Sequence, residues 1–455
     1  MKLNLYYYTF HAKNEIIMLI QFSVKNYKVF REKAVFSLIA SNYDRDTREA
    51  ENVSSFSDLD LRILKGGVLY GANASGKSKF LDAVRFMRTF TIKSSTESQK
   101  GDSIGVEPFR LNTESNDSSS EFEVIFLLNN EIFRYGFEAS ASKVVAEWLY
   151  HKPKTKEIEL FYRDDQKFDI HRNFSKGQTL VKEALVRDNA LMLSVAAQFN
   201  DEIAGRVINW FKGLRSISGI SDEGYRGFTM GRTEDSNYKS KILNLLNAAD
   251  FGIQNISIEP REGNKLPGDM PIKTKELLAK KLKDENAQIV DVLTSHRLYD
   301  SEKKHSGDVN FSLDVEESLG TQKFFSLTGP ILDTLENGYV LFVDELDSKL
   351  HPNLVCKLAE LFNSNTTNPK NAQLIFNTHD TNLLSSGLFR RDQIWFTEKD
   401  RYGEAKLYSL MDFKGDVRRN ENFEDNYIRG KYGAVPFLGD FDRVLTANLE
   451  QGDEG

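Results

Sequence analysis

The sequence predicts an α/β fold: a mainly parallel core sheet around a phosphate-binding loop, joined by an antiparallel β subdomain and a mostly helical insertion. Three observations carry this expectation. Residues 61–70 (LRILKGGVLY) end as an apolar strand, residues 71–78 (GANASGKS) form a glycine-rich turn, and the stretch that follows places Phe80, Leu81, Val84 and Met87 at helical spacing. Two more apolar runs, 339–343 (YVLFV) and 373–377 (QLIFN), flank a helix-patterned stretch at 353–362. Strands alternating with helices after such a loop imply parallel pairing. Residues 121–137 alternate apolar and polar positions around Asn129 and Asn130, the pattern of an antiparallel hairpin.

Taken in order, residues 18–30 (MLIQFSVKNYKVF) and 34–40 (AVFSLIA) read as two paired strands. Residues 41–60 are polar and read as a loop, and residues 91–120, rich in Ser, Thr and Glu, as exposed chain. A further strand pair is expected over 157–170, and a short apolar run at 191–195 leads into Ala-Ala-Gln. Residues 200–300 are charged and patterned mainly as helix, with a loop near 263–271. No heptad repeat is sustained, so no long coiled-coil arm is expected, and no internal repeat is visible.

Composition bounds the function classes. A chain of 455 residues, 40% hydrophobic and 28% charged, fits roughly two or three globular domains. It can bury a core without disulfides or structural metal. The single cysteine, Cys356, excludes an internal disulfide and a cysteine-rich zinc site, as in a reducing cytoplasm. A net charge of -7 and a pI near 5.7 argue against a protein coated in positive charge, yet leave a local basic groove open. No apolar run approaches the ~20 residues that span a bilayer, and the N-terminus lacks a secretory pattern. The expectation is a cytoplasmic protein with no membrane partner. The better-patterned chain begins at Met18, so residues 1–17 read as an N-terminal extension.

The chemistry-bearing residues centre on Gly71, Ala72, Asn73, Ala74, Ser75, Gly76, Lys77 and Ser78, which match G-x-x-x-x-G-K-[ST]. The glycines let the backbone wrap so that successive N–H groups face phosphates, and the helix that starts there adds its positive end. Lys77 then reaches the outer phosphates and the Ser78 hydroxyl coordinates Mg²⁺. Residues 339–345 end in two acids: Asp344 would hold Mg²⁺ through water, and Glu345 would polarise an attacking water as general base. Ser318 and Gly320, in ESLGTQK, open a helix and make an anion-binding end; alone, Ser318 reads equally as an ordinary N-cap. His379 follows the strand at 373–377 and could reach a γ-phosphate, although a lone histidine at a strand end is as readily structural.

In this order, GANASGKS, ESLGTQK, VLFVDELDSKLHP and FNTHD resemble the motif series of ABC-type ATPases, in the RecF/SMC-like branch. Within it the chain is similar to the stand-alone ATPases of the abortive-infection and OLD-like group, including the ATPase of RloA/RloB-type pairs. The opening MLIQFSVKNYKVF and closing NYIRGKYGAVPF carry the same likeness. The resemblance implies an ATPase head for ATP and Mg²⁺ in two parts, residues 18–199 and 306–455, separated by the insertion at 200–305. It further implies that Ser318 and Gly320 touch the γ-phosphate held by a second subunit, that Asp347 is the D-loop residue and His379 the switch histidine. Gln198 would be the Q-loop residue near Mg²⁺, unless it is a plain surface glutamine. The signature departs from the usual LSGGQ at Glu317, Leu319 and Thr321.

A signature segment serves a neighbouring subunit's nucleotide, so a homodimer or higher oligomer with ATP between the subunits is expected. Two roles stay open. One is a sensor or regulator ATPase in bacterial anti-phage defence, controlling a separately encoded effector such as a nuclease or toxin. About 75 residues follow His379, too few for an attached Toprim nuclease domain. The other is a RecF-like repair ATPase that binds DNA itself. Its candidate contacts are the basic stretch 273–283 and Arg418, Arg419, Arg429 and Lys431, where Phe423, Tyr427 and Tyr432 could equally pack on the core.

Overall fold

A computed structural model describes residues 16–261, 289–413 and 421–436, together with residue 276. The chain opens with β1 (Ile17–Lys25), β2 (Ala34–Ser37), α1 (Glu49–Asn52), β3 (Val53–Phe56), β4 (Leu61–Leu64), β5 (Gly66–Tyr70) and α2 (Lys77–Lys93). A meander follows: β6 (Ser120–Leu128), β7 (Glu131–Ala139), β8 (Val144–Lys152), β9 (Ile158–Asp164) and β10 (Lys167–Ile170). Then come α3 (Gly177–Lys182), α4 (Met192–Gln198), α5 (Glu202–Gly213), β11 (Leu214–Ser218), α6 (Arg226–Arg232), α7 (Ser236–Ala248), β12 (Ile253–Pro260), β13 (Val290–Tyr299) and β14 (His305–Ser312). The last part runs α8 (Leu319–Asn337), β15 (Val340–Asp344), α9 (Pro352–Asn363), β16 (Gln373–Asn377), α10 (Asn382–Ser385), β17 (Ile394–Lys399), β18 (Ala405–Ser409) and α11 (Phe423–Ile428).

The core sheet has the order β11-β15-β16-β5-β17-β18 and is parallel except for the last pair. β5 and β16 are buried along their whole length, which is why they read as unbroken apolar runs rather than alternating ones. The second sheet, β10-β9-β8-β7-β6-β1-β2, is antiparallel throughout. Its β6–β7 hairpin turns at Asn129 and Asn130, both with positive φ (53° and 63°), as a two-residue turn of this hand requires. Helix α2 contributes to the core on its expected face: Phe80, Leu81, Val84 and Met87 are all buried. Phe80 meets Phe22 of β1 edge-on at 5.5 Å. Gln373 joins the two sheets: its amide accepts from Leu19 N at 2.6 Å and donates to Leu19 O and Leu64 O at 3.0 and 2.8 Å.

Two stretches carry structure that their composition did not announce. The insertion is helical in α5, α6 and α7, but it also contains β11 and continues through β12 and β13 into a three-stranded antiparallel sheet with β14. Frequent charges mimic a solvated helix there, whereas the buried positions Val292 and Thr294 follow the strand period of two. The segment read as a loop at 41–60 holds α1 and β3, and β3 pairs with β4. Its serines conceal a strand whose Ser54 hydroxyl is spoken for by Asn371 at 2.8 Å. The loop expected at 263–271 lies outside the described residues, as do residues 1–15.

A fully buried ion pair braces the meander. Glu147 accepts from Met192 N at 2.6 Å, Leu193 N at 3.0 Å and the Tyr135 hydroxyl at 3.0 Å, with Arg163 3.7 Å away. Burial pushes the Glu147 carboxyl up from its ordinary range and the Arg163 guanidinium down, and each opposes the other's shift. Removing Arg163 alone strands a buried carboxylate. Arg163→Met is expected to cost about 3–5 kcal/mol of stability, read as a lower midpoint in denaturant unfolding.

Candidate functional site

The loop between β5 and α2 is shaped by two glycines. Gly71 (φ +153°) lies so close to the Thr397 carbonyl and the Ser75 hydroxyl that a Cβ would collide with both. Gly76 (φ +120°) sits 3.1 Å from the Ala405 methyl and 3.2 Å from Val29 Cγ2, measured from where its Cβ would be. Ser75 N donates back to Ala72 O at 3.1 Å, and the Ser75 hydroxyl meets that of Thr397 at 2.6 Å. Asn73 and Ala74 are left exposed at the crest. Helix α2 has no side-chain N-cap, and its first i→i−4 bond is Phe80 N to Gly76 O at 2.9 Å. The N–H groups of Lys77, Ser78 and Lys79 therefore lie at an open, positive helix end.

Lys77 is buried, and its Nζ donates to Gly71 O at 2.7 Å and Ala72 O at 3.2 Å. Burial lowers its pKa to about 8, although the carboxylates of Glu345, Asp344 and Asp347 pull the other way. The Ser78 hydroxyl donates to Asp344 Oδ1 at 2.8 Å, so the two oxygen ligands expected for Mg²⁺ already face each other between the start of α2 and the end of β15. Asn377, at the end of β16, donates to the same Asp344 oxygen at 2.5 Å and accepts from the Glu345 backbone N–H. Glu345 adopts φ +53°, a conformation uncommon for a residue with a side chain and one that gathers at functional sites. The chain turns there: Ser348 N returns to Glu345 O at 3.1 Å.

Asp347 Oδ2 accepts from the His379 backbone at 3.2 Å, while its Oδ1 is buried with no hydrogen-bond partner among the described residues. His379 is exposed. Partial burial and then the nearby Lys77 charge hold its imidazole below the usual histidine range, against Asp347, Glu345 and Asp344. Six of the expected residues thus converge: Lys77, Ser78, Asp344, Glu345, Asp347 and His379 stand at the C-terminal ends of β5, β15 and β16 or just beyond. Ligands of open α/β sheets bind at such ends.

Ser318 and Gly320 lie at the start of α8 and make no described hydrogen bond to this cluster. Ser318 caps α8, its Oγ accepting from Thr321 N at 3.1 Å, and Leu319 beside it is 59% exposed. Gly320 lies against the Lys349 carbonyl, 3.0 Å from where a Cβ would be, so a side chain would press on the turn after Asp347. Among the described residues neither Ser318 nor Gly320 hydrogen-bonds the loop 71–78. Gln198 is exposed at the end of α4, a helix tied by Ser194 and Ser95 (2.7 Å) to the chain just after the far end of α2. It makes no described hydrogen bond to Ser78 or Asp344.

The donor set suits a nucleotide triphosphate with Mg²⁺. The open helix end and Lys77 face anions, and Ser78 with Asp344 offers hard oxygens to a cation that keeps waters and binds through few carboxylates. The unpartnered Asp347 oxygen leaves one acceptor in the site for a water or a ligand. Sequence reading missed Asn377 and Thr397. Asn377 stood in the FNTHD string, a polar residue closing a buried strand, whereas nothing in the sequence pointed to Thr397.

The aromatic residues of the closing segment pack inward. Tyr427 and Tyr432 are buried against Phe396, with ring centroids 5.4 and 5.8 Å away. Arg429 pairs with Asp425 at 3.1 Å and Lys431 with Glu421 at 2.6 Å. Arg418, Arg419 and the basic stretch 273–283, apart from residue 276, lie outside the described residues. No helix among the described residues is long and apolar enough to cross a membrane.

A family profile described as "AAA domain, putative AbiEii toxin, Type IV TA system" matches residues 68–187 and 196–385. Among solved structures, the SMC head domain from Thermotoga maritima aligns with 86% of this chain and 98% of its own, at 12% identity and a TM-score of 0.39. An SMC head bound to the C-terminal winged-helix domain of ScpA gives 13% identity, a TM-score of 0.38 and coverage of 86% and 97%. An SMC head with an extended coiled coil, bound to the C-terminal domain of ScpA from Pyrococcus furiosus, gives 11%, 0.34, and coverage of 86% and 96%. No curated protein matches the sequence.

Proposed function

This chain belongs to the family of AAA domains described as putative AbiEii toxin of type IV toxin–antitoxin systems, and on that footing we propose that it binds and hydrolyses ATP between two copies of itself. The observation that supports this most is the gathering of Lys77, Ser78, Asp344, Glu345, Asp347 and His379 from separate stretches at one edge of the core sheet. Loop residues Gly71, Ala72, Asn73, Ala74, Ser75 and Gly76 wrap the phosphates, and Lys77 neutralises them. Ser78 and Asp344 hold Mg²⁺, which screens phosphate charge when bound. Glu345 accepts the proton of the attacking water, and His379 faces the γ-phosphate. Gln198 is the weakest member of the set, since no described contact brings it to Ser78 or Asp344.

Ser318 and Gly320 complete the site of a second copy. The absence of any described hydrogen bond from either residue to the loop 71–78, and the exposure of Leu319 between them, support that reading. The test is light scattering on Glu345→Gln with Mg-ATP. The mass is expected to rise from the 52.0 kDa of one chain to twice that, and Ser318→Arg in the same background to stay at 52.0 kDa. A Glu345→Gln protein that remains at one chain's mass with Mg-ATP would falsify the sandwich.

We place this ATPase as the sensor or regulator subunit of a defence system acting through a separately encoded effector, such as a nuclease or toxin. The family description, which names a type IV toxin–antitoxin system, supports the setting, and the motif resemblance supplies the division between regulator and effector. For direct DNA binding, the described cations of the closing segment, Arg429 and Lys431, each lie beside an acid, Asp425 and Glu421, which offsets their positive charge. Co-purification with the product of the neighbouring gene, against salt-dependent retention of duplex DNA, separates the two roles.

A further inference from the structure

The closing segment 421–436 is one motif to which the ATP site gives no role. It is a compact knot: the Tyr427 hydroxyl donates to Ala434 O at 3.2 Å, and Asn426 donates to the Tyr432 hydroxyl at 3.1 Å. Its outward ties go to both halves of the site. On one side Ala434 N donates to Glu398 Oε1 at 3.2 Å, next to the Thr397 that holds Ser75, and the Tyr427 ring packs at a 57° tilt against Tyr70, the residue before Gly71, with centroids 5.6 Å apart. On the other side Glu424 accepts from Thr381 Oγ1 at 2.8 Å and Ser385 Oγ at 2.7 Å.

These contacts bracket His379. The chain before it is held by Thr378 N to Leu69 O at 3.2 Å. The chain after it is held by the Tyr70 hydroxyl on Asp380 O at 3.1 Å and by Thr381 on Glu424. The backbone is thus pinned on both sides, while the imidazole makes no hydrogen bond among the described residues. We propose that segment 421–436 is a clasp that keeps the His379 loop in register with the phosphate loop, with Glu424 as its positioning residue. The clasp rests on the reading that this chain hydrolyses ATP with His379 at the γ-phosphate.

Steady-state ATP turnover and ATP binding of single and double variants test it. Glu424→Ala is expected to lower kcat by about ten- to a hundredfold, the scale of a misplaced catalytic group, with KM unchanged. Glu424→Gln, which keeps one acceptor for Thr381, should restore most of the rate, and Arg429→Ala, just past the end of the same helix, should match the wild type. The double variant Glu424→Ala/His379→Ala should be no slower than His379→Ala alone. If Glu424→Ala does not fold, Thr381→Val removes the same tie from the loop side and should show the same loss. A full wild-type kcat in Glu424→Ala or Thr381→Val, or losses that multiply in the double variant, would overturn the clasp alone. A wild-type protein with no turnover would overturn the ATPase reading and the clasp with it.

Discussion

Glu345→Gln is expected to lower ATP turnover by about two to four orders of magnitude while leaving ATP bound, because the amide cannot take the water's proton. The substitution is nearly isosteric, and the features that fix this residue are backbone ones: φ +53° and the tie from its N–H to Asn377. Geometry should therefore survive where chemistry does not. Phosphate release measured beside binding of a fluorescent ATP analogue separates the two. Turnover within about threefold of the wild type would remove Glu345 from the role of base, since that role carries at least about a hundredfold.

Lys77→Ala is expected to act on binding instead. The ammonium is the buried cation of the loop, and each charge-assisted bond it would make to phosphate is worth about 1.5–3 kcal/mol. ATP should bind roughly a hundredfold more weakly, and stabilisation by ATP at a hundredfold excess over the wild-type Kd should fall from about 2.7 to about 0.4 kcal/mol. The sign of the pH effect follows from the same residue. Burial lowers Lys77 to about 8 in the free protein, so the charge is present below that pH and lost as pH rises through it. ATP affinity should decline above about pH 8 in the wild type and stay flat in Lys77→Ala. An unchanged affinity in Lys77→Ala would mean that the backbone N–H groups alone carry the phosphates.

The phosphate loop was legible because everything it needs is contiguous. A strand, two glycines with positive φ, a lysine and a helix start are local features, and local backbone conformation is what sequence pattern reports. The same holds for the β6–β7 hairpin, whose paired asparagines suit the φ their turn demands. β5, β15 and β16 showed as apolar runs because both faces are covered. β12, β13 and β3 were harder, since their exposed and half-buried positions carry the charges and hydroxyls that also mark helices and loops.

Motif order alone placed Asp344, Glu345, Asp347 and His379 in one site, without saying what holds each of them. Asn377, which sets both Asp344 and the Glu345 backbone, and Thr397, which holds Ser75, act across pairs of strands. Those pairings follow from sheet order β15-β16-β5-β17, a global property to which every strand contributes. The closing segment shows the same division. Its aromatic residues were visible as either nucleic-acid contacts or core, and only packing against Phe396 and Tyr70 decided for core. By itself, then, the sequence determined the phosphate loop, the acidic strand end and their order, because short-range backbone preferences suffice for each. Which side chains brace the acids, and what pins the histidine loop, was decided by tertiary structure, because those contacts exist only once distant strands pair.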